Sequence, residues 1–180
     1  MLIHVDDLIM SAFTEFDMDA LEQLKAEMKL KSEKLVGEGD SVIYLGRTIT
    51  RTAQGYKMQA DFKLVEASLA ELHLLEARGV DTPAVVEKEE DQAEPLDEDM
   101  LADYARHTGR LIYVAMDRFD VQFAVKQLAR RMRDADCLSW IALKRVFRYL
   151  KQAGPQESFF DGREIIDMIT VECDSDWGSC

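Results

Sequence analysis

Two adjacent carboxylates near the start of the sequence, Asp6 and Asp7, are the residues best suited to chemistry. They stand between the apolar runs 2–5 and 8–10, a pattern that predicts two short strands joined by a tight turn. Carboxylates at such a turn can bind Mg²⁺, which takes hard oxygen ligands and leaves room for substrate phosphates. In two-metal phosphoryl transfer, one ion activates the attacking hydroxyl and the other neutralises charge on the leaving oxygen. Asp is also a common turn residue, so this pair by itself favours a plain turn over a metal site.

The elements that must position this turn follow in the first half of the chain. Asp17 or Asp19 is a candidate N-cap of a helix with apolar residues Leu21, Leu24 and Met28. Residues 41–50 are rich in β-branched side chains and predict a strand, and residues 53–55 predict a hairpin turn into a second strand. A helix should begin near Asp61, with one apolar stripe formed by Phe62, Val65, Leu69 and Leu72.

The charge distribution divides the chain further. The net charge is −13, and residues 87–99 carry eight acidic residues against one lysine. This composition predicts a solvated acidic linker over 80–99, with a domain boundary there. Residues 126–151 carry eight basic residues against two acidic ones, so the chain is electrically polarised. The overall acidity argues against a general nucleic-acid binder, because such proteins attract phosphates with clustered Lys and Arg.

After the acidic linker, the spacing of apolar residues predicts helices at about 100–115, 121–132 and 138–152, followed by a strand at 165–173. Lys144, Arg148 and Lys151 share one face of the last helix, where they either bind phosphates or form an ordinary solvated face. The predicted class is therefore α+β: antiparallel hairpins with packed helices, an acidic linker, a small helical bundle and a terminal strand.

The sequence indicates neither a Cys or His metal site, nor a membrane span, nor a secretory signal. The three cysteines have no C-x-x-C spacing, and the three histidines lack the i, i+3 or i, i+4 partners of a metal-binding helix. No apolar run approaches the ~20 residues that span a bilayer, and the N-terminal residues do not form a secretory signal. We therefore expect a reduced, intracellular protein without a membrane partner.

Six short motifs together resemble those of copia-type retrotransposon reverse transcriptases, and they occur in the family's order. The segment 4–9 resembles the Tyr-Val-Asp-Asp-hydrophobic box, 44–46 resembles Phe-Leu-Gly, and 82–83 resembles the Thr-Pro that precedes the linker. The segment 104–120 is similar to a signature carried here by Tyr104, Gly109, Leu111, Tyr113, Arg118 and Asp120. The segment 144–151 is similar to the family's Lys-Arg-Val-Leu-Arg-Tyr-Leu-Lys helix, and 174–178 resembles the Asp-Ala/Ser-Asp-Trp motif that opens RNase H.

The resemblance implies an RNA-directed DNA polymerase whose partners are an RNA template and a DNA primer. It implies four parts: a partial palm and thumb-like part (1–79), the acidic linker (80–99), a helical connection (100–155) and a truncated start of RNase H (156–180). Asp6 and Asp7 would bind Mg²⁺ or Mn²⁺ in the complete enzyme, and Asp174 would be the first metal ligand of RNase H. The implied nucleic-acid contacts are Tyr44, Leu45, Gly46, Lys144, Arg145, Arg148 and Lys151. In the family, the region of 44–46 lies near the primer end; the alternative for these three residues is a plain bend in a strand. The location would be cytoplasmic, in virus-like particles, or nuclear.

Some residues depart from the family's pattern. His4 replaces Tyr beside the aspartates, and Asp117 and Phe119 stand where Thr and Pro are usual. The family's fingers and the strand with its other catalytic carboxylate would lie before Met1, so we expect the isolated chain to be inactive. The alternative is a decayed or domesticated remnant that acts without catalysis, binding a basic protein through residues 87–99.

Overall fold

The computed structural model describes residues 2–4, 7–9, 16–27, 37–84 and 93–162, with the backbone alone before residue 22. The fold is α+β, as the sequence predicts. The strands are β1 (Leu2–His4), β2 (Asp7–Ile9), β3 (Ser41–Tyr44), β4 (Arg47–Thr52), β5 (Gly55–Ala60) and β6 (Glu157–Asp161). The helices are α1 (Phe16–Glu27), α2 (Lys63–Glu71), α3 (Glu98–Ala115), α4 (Gln122–Arg130) and α5 (Cys137–Ala153), with a short 3₁₀ helix at Phe119–Val121.

The strands form two antiparallel sheets: β1 pairs with β2, and β3 to β6 form a second sheet in sequence order. The predicted hairpin turn after β4 is confirmed, because Thr52 pairs with Gly55 across it. Strand β6 was not predicted, and it pairs with β5 so that Gly55 lies opposite Asp161. A Cβ at Gly55 would lie 1.9 Å from the Phe160 carbonyl oxygen, so only glycine permits this close approach.

The prediction of one strand over 41–50 is wrong in one respect. Leu45 and Gly46 form a tight turn that divides the segment into β3 and β4. Both residues have positive φ, 48° and 73°, as a type I′ hairpin turn requires. Leucine seldom adopts this conformation, and the β-branched residues on either side therefore concealed the turn.

Helix α1 begins at Phe16, so the predicted caps Asp17 and Asp19 lie inside the helix and that prediction is wrong. Helix α2 follows the prediction, and its stripe residues Val65, Leu69 and Leu72 are buried. The three later helices are also confirmed. Asp97 caps α3 by accepting from the Met100 N–H, and Asp136 caps α5 by accepting from the Ser139 N–H.

One hydrophobic core joins α2 to the helices that follow the acidic segment. Val65 and Leu69 of α2 belong to the same buried cluster as Tyr104 of α3 and Phe147 of α5. Residues 85–92 of the predicted linker lie outside the described residues, as does the predicted strand 165–173. The division into 1–79, 80–99, 100–155 and 156–180 stays a prediction. Within the described ranges, none of the helices is long and apolar enough to cross a membrane.

Candidate functional site

The predicted metal-binding hairpin is present as an antiparallel strand pair. His4 lies opposite Asp7, and Leu2 lies opposite Ile9. Asp7 is therefore the first residue of β2, whereas the sequence predicted both aspartates within the turn. Asp6 and Asp174 lie outside the described residues. The predicted ligand set therefore stays a prediction.

The described side chains do not form a second candidate metal site. Among those residues, no three His, Cys, Asp or Glu side chains lie together in a way that would hold an ion. The Asp6-Asp7 hairpin and Asp174 therefore remain the candidate positions for Mg²⁺, on the resemblance of their motifs.

The turn formed by Tyr44, Leu45 and Gly46 is fastened to helix α3. The Tyr113 hydroxyl donates to the Leu45 carbonyl oxygen at 3.0 Å. A Cβ at Gly46 would lie 3.0 Å from the same hydroxyl, so the turn and the tyrosine are in close contact. The Asp61 N–H donates to the Gly46 carbonyl oxygen at 3.1 Å. The predicted motif is thus a hydrogen-bonded connection between the sheet and the helices.

An ion pair strengthens this connection. Arg47 Nε lies 2.8 Å from Asp117 Oδ1, and the two side chains are only 17% and 11% exposed. The hydrogen bond to Asp117 raises the pKa of Arg47 above its usual value. The Arg47 guanidinium also lies 5.9 Å from the centre of the Tyr113 ring, within range of a cation–π interaction. Asp117, which departs from the family's Thr, is therefore accounted for by its partner Arg47.

The basic face of α5 contacts the segment that follows α2. Arg145 donates to the Thr82 carbonyl oxygen at 3.1 Å and to the Thr82 hydroxyl at 2.8 Å. Arg148 Nε donates to the Arg78 carbonyl oxygen at 2.6 Å. Three of the four predicted phosphate-binding cations thus hold this segment, since Lys151 also donates, to the carbonyl oxygens of Leu75 and Ala77.

Lys144 is the fourth cation of this face. Its Nζ lies 5.3 Å from the centre of the Trp140 ring, one turn earlier on the same helix. The sequence predicted either a phosphate-binding face or a solvated one. Neither interpretation included the internal hydrogen bonds, and the phosphate role of these residues stays a prediction.

A concave site lies where the basic face meets residues 78–82. Its volume is about 430 Å³, and it is lined by Arg78, Gly79, Val80, Asp81, Thr82, Arg145 and Arg148. The sequence did not predict this site, because residues after Gly79 were assigned to a solvated linker. The signal that could have found it is the pair of arginines on α5, Arg145 and Arg148, because arginines need hydrogen-bond acceptors when they are half-buried.

Arg118 and Asp120, two residues of the signature after the linker, form a structural network. Arg118 is 3% exposed and donates to both carboxylate oxygens of Asp120, at 2.9 and 2.7 Å. It also donates to the Gly154 carbonyl oxygen at the end of α5. The Tyr149 hydroxyl donates to Asp120 as well, and the hydrogen bond from Arg118 is the main reason that the pKa of Asp120 lies below its usual value.

One histidine is fully enclosed. His107 is 1% exposed, and its ring meets the Phe147 ring edge to face with 5.9 Å between the ring centres. Burial is the main reason that its pKa is lowered, and the neighbouring Arg110 and Arg106 act in the same direction. Its Nε2 lies 3.7 Å from Glu71 Oε2, while Nδ1 has no partner among the described residues. This environment favours a neutral histidine that packs in the core.

Comparison with known proteins gives two informative similarities. The chain is 24% identical over 181 aligned residues to an uncharacterized mitochondrial protein of Arabidopsis thaliana, AtMg00810, covering 100% of this chain and 72% of that protein. It is 26% identical over 181 residues to the retrovirus-related Pol polyprotein from transposon RE2 of the same plant, covering 98% of this chain. No family model and no solved structure matches the chain.

The second similarity covers only a small part of the longer protein, since the chain spans 12% of the RE2 polyprotein. The alignment nevertheless extends over nearly the whole of this chain, from the hairpin to the helices. The similarity to the Pol polyprotein supports an origin of this chain in a retrotransposon polyprotein.

Proposed function

We propose that this chain is a segment of a copia-type reverse transcriptase, running from the catalytic hairpin of the palm into the start of RNase H. The observation that carries the proposal is the similarity to a Pol polyprotein over 98% of the chain. The order of the six motifs in the sequence supports the same assignment. The antiparallel pairing of β1 and β2, which brings Asp7 beside the hairpin connection, is compatible with it.

In this proposal Asp6 and Asp7 bind Mg²⁺ for RNA-directed DNA synthesis, and Asp174 is the first metal ligand of RNase H. Bound Mg²⁺ supplies charge neutralisation at the attacking and leaving oxygens. The contribution of this chain is positional. Asp7 lies opposite His4 in the antiparallel pair, so the backbone of Asp7 has a defined position in the hairpin.

The turn at Leu45 and Gly46 has a defined role in this proposal. The resemblance places this turn near the primer end, and the structure fastens it to α3 through Tyr113 and the Arg47–Asp117 pair. A turn fixed in this way would present the same surface to each primer end, without a separate ordering step. The turn and α3 would then act as one unit in primer positioning.

The 180 residues by themselves should not synthesise DNA. A two-metal clamp needs more oxygen ligands than Asp6 and Asp7 supply, and the resemblance places the further carboxylate in sequence upstream of the hairpin. The RE2 polyprotein, of which this chain spans 12%, has ample room for such a segment.

The test is primer extension on an RNA template with Mg²⁺, comparing this chain with a protein extended by the upstream reading frame. We expect synthesis by the extended protein alone, and its loss on Asp7→Asn. The matched control is Asp134→Asn, which removes the same charge from an exposed carboxylate that has no side-chain bond among the described residues. Full synthesis by the extended Asp7→Asn protein would overturn the proposal.

A further inference from the structure

The concave site between residues 78–82 and α5 has an unusual charge arrangement for this chain. Its lining contains three arginines, Arg78, Arg145 and Arg148, and one carboxylate, Asp81. The whole chain, in contrast, carries 35 acidic residues and 22 Lys and Arg. The charge of the pocket lining is therefore opposite in sign to the net charge of the chain.

These three arginines lack carboxylate partners in the described ranges. Several arginines elsewhere in the same ranges do pair with acids, among them Arg47 with Asp117, Arg118 with Asp120, and Arg110 with Glu71. Arg145 and Arg148 instead donate to backbone carbonyls and a hydroxyl, and the Arg78 side chain makes no such bond, so none of the three is paired with a carboxylate in those ranges. The pocket therefore favours an anion.

Donor groups remain after these internal bonds are counted. Arg148 uses Nε alone, and Arg145 uses Nε and one terminal nitrogen, so terminal N–H groups of both are left over among the described residues. The Arg78 side chain is exposed and makes no hydrogen bond to another described residue. The backbone N–H groups of 79–82 likewise donate to no described atom. An anion with several oxygens could accept from many of these groups at once.

The internal bonds also fix the arrangement in advance. Because Arg145 and Arg148 are held by the carbonyl oxygens of Thr82 and Arg78, their guanidinium planes are not free to rotate. Asp81 is the one opposing charge, and its Oδ1 accepts from the Gln152 side chain at 2.5 Å. Three cations against one carboxylate match an oxyanion with one or two charges, which is the chemistry of a phosphate group.

We infer that this pocket binds a phosphate group, held by Arg78, Arg145 and Arg148 together with the backbone of 79–82. The choice of a nucleic-acid backbone as the source of that phosphate rests on the function proposed above. Free phosphate is the other source of the same chemistry. This pocket is not the whole basic face of α5, because Arg145 and Arg148 line it and Lys144 and Lys151 do not.

The test is a titration of the full chain with inorganic phosphate, followed by calorimetry or by the NMR signals of the arginine N–H groups, at constant ionic strength. The variants are Arg78→Gln, whose side chain has no internal bond to lose, and Arg148→Lys, which keeps the charge but not the planar fork. The matched control is Arg133→Gln, which removes one charge from an exposed site outside the pocket.

We expect saturable phosphate binding that Arg78→Gln and Arg148→Lys each weaken by about tenfold, as loss of a charge-assisted hydrogen bond predicts. Arg133→Gln should change it by less than about twofold, since it alters only distant charge. Equal weakening by Arg78→Gln and Arg133→Gln, or no phosphate binding by the folded chain, would overturn the inference.

A second arm replaces inorganic phosphate with a short RNA–DNA duplex. Weakening of duplex binding by Arg78→Gln but not by Arg133→Gln identifies a backbone phosphate as the natural ligand. If both variants leave duplex binding unchanged while Arg78→Gln weakens the binding of inorganic phosphate, the natural ligand is free phosphate. Neither arm measures DNA synthesis, so failure of the pocket and failure of the polymerase assignment remain separate results.

Discussion

Arg47 and Asp117 join two parts of the fold that are seventy residues apart in sequence, with 2.8 Å between Nε and Oδ1. Arg47 begins strand β4, directly after the turn at Leu45 and Gly46, and Asp117 follows the end of α3. The pair lies beside Tyr113, which binds the same turn. The four-stranded sheet is thus attached to the helices by a charged contact at its turn.

Asp117→Ala should destabilise the protein by about 2 kcal/mol, because it leaves the mostly buried Arg47 charge without its partner. The measurement is urea unfolding. The control is Glu157→Ala, which breaks a pair with Lys57 whose side chains are about half exposed, 50% and 47%. That change should cost under about 1 kcal/mol. Equal losses in the two variants would show that burial of the Arg47 pair is unimportant.

Asp120 should make stability depend on acid pH. Its pKa in the folded state lies below its usual value, chiefly because Arg118 donates to it. The ionised carboxylate therefore stabilises the fold above the unfolded-state pKa of about 3.9, and this contribution is lost as the pH falls towards the folded-state value. Urea unfolding of the wild type and Asp120→Asn should differ by a constant amount from pH 7 to 5 and converge below about pH 4. A difference that persists undiminished at pH 3 contradicts this account.

His107 should titrate below the usual range for histidine, because its burial disfavours the charged form. Since the unfolded chain binds the proton more readily, the fold loses stability as the pH falls from about 6.5 towards the folded-state pKa. Proton NMR of the His107 ring gives the midpoint directly. His107→Gln should remove this part of the pH dependence, and a midpoint at or above 6.5 would refute the prediction.

Two glycines in the family-like motifs should respond in opposite ways to alanine. Gly46→Ala should destabilise by about 1–2 kcal/mol, because φ is +73° and the new Cβ would lie 3.0 Å from the Tyr113 hydroxyl. Gly109→Ala should stabilise by about 0.5–1 kcal/mol, because Gly109 lies inside α3 with open space around its Cβ position. Thermal or urea unfolding measures both. A loss of stability in Gly109→Ala would mean that this glycine has a packing role in the fold.

The sequence predicts the helices well because their apolar stripes are the surfaces that the core buries. Val65, Leu69 and Leu72 of the α2 stripe are buried, and so are Leu143, Phe147 and Leu150 of α5. Periodicity carries this information directly, since burial of one face is what fixes a helix in a protein.

The features that the sequence did not predict depend on distant partners. Strand β6 exists through its pairing with β5, about one hundred residues earlier, and its own sequence has no alternation. The turn at Leu45 needs a leucine with positive φ, which Tyr113 helps to hold. The arginine pocket needs carbonyls from 78–82 to meet α5. Of the predicted metal ligands, only the backbone of Asp7 lies in the described ranges. The assignment of Asp6 and Asp174 therefore rests on the sequence motifs alone.

The anchoring of the acidic segment at both ends has a consequence for the integrity of the chain. Thr82 is bound by Arg145, and the Glu94 carbonyl accepts from the Cys137 N–H, two attachment points about 12 Å apart along α5. A protease cut between residues 85 and 92 would leave each new end tied to the same helix, and the shared core would keep the two pieces associated. Cleavage of the acidic stretch should therefore leave the helices on either side of it packed together.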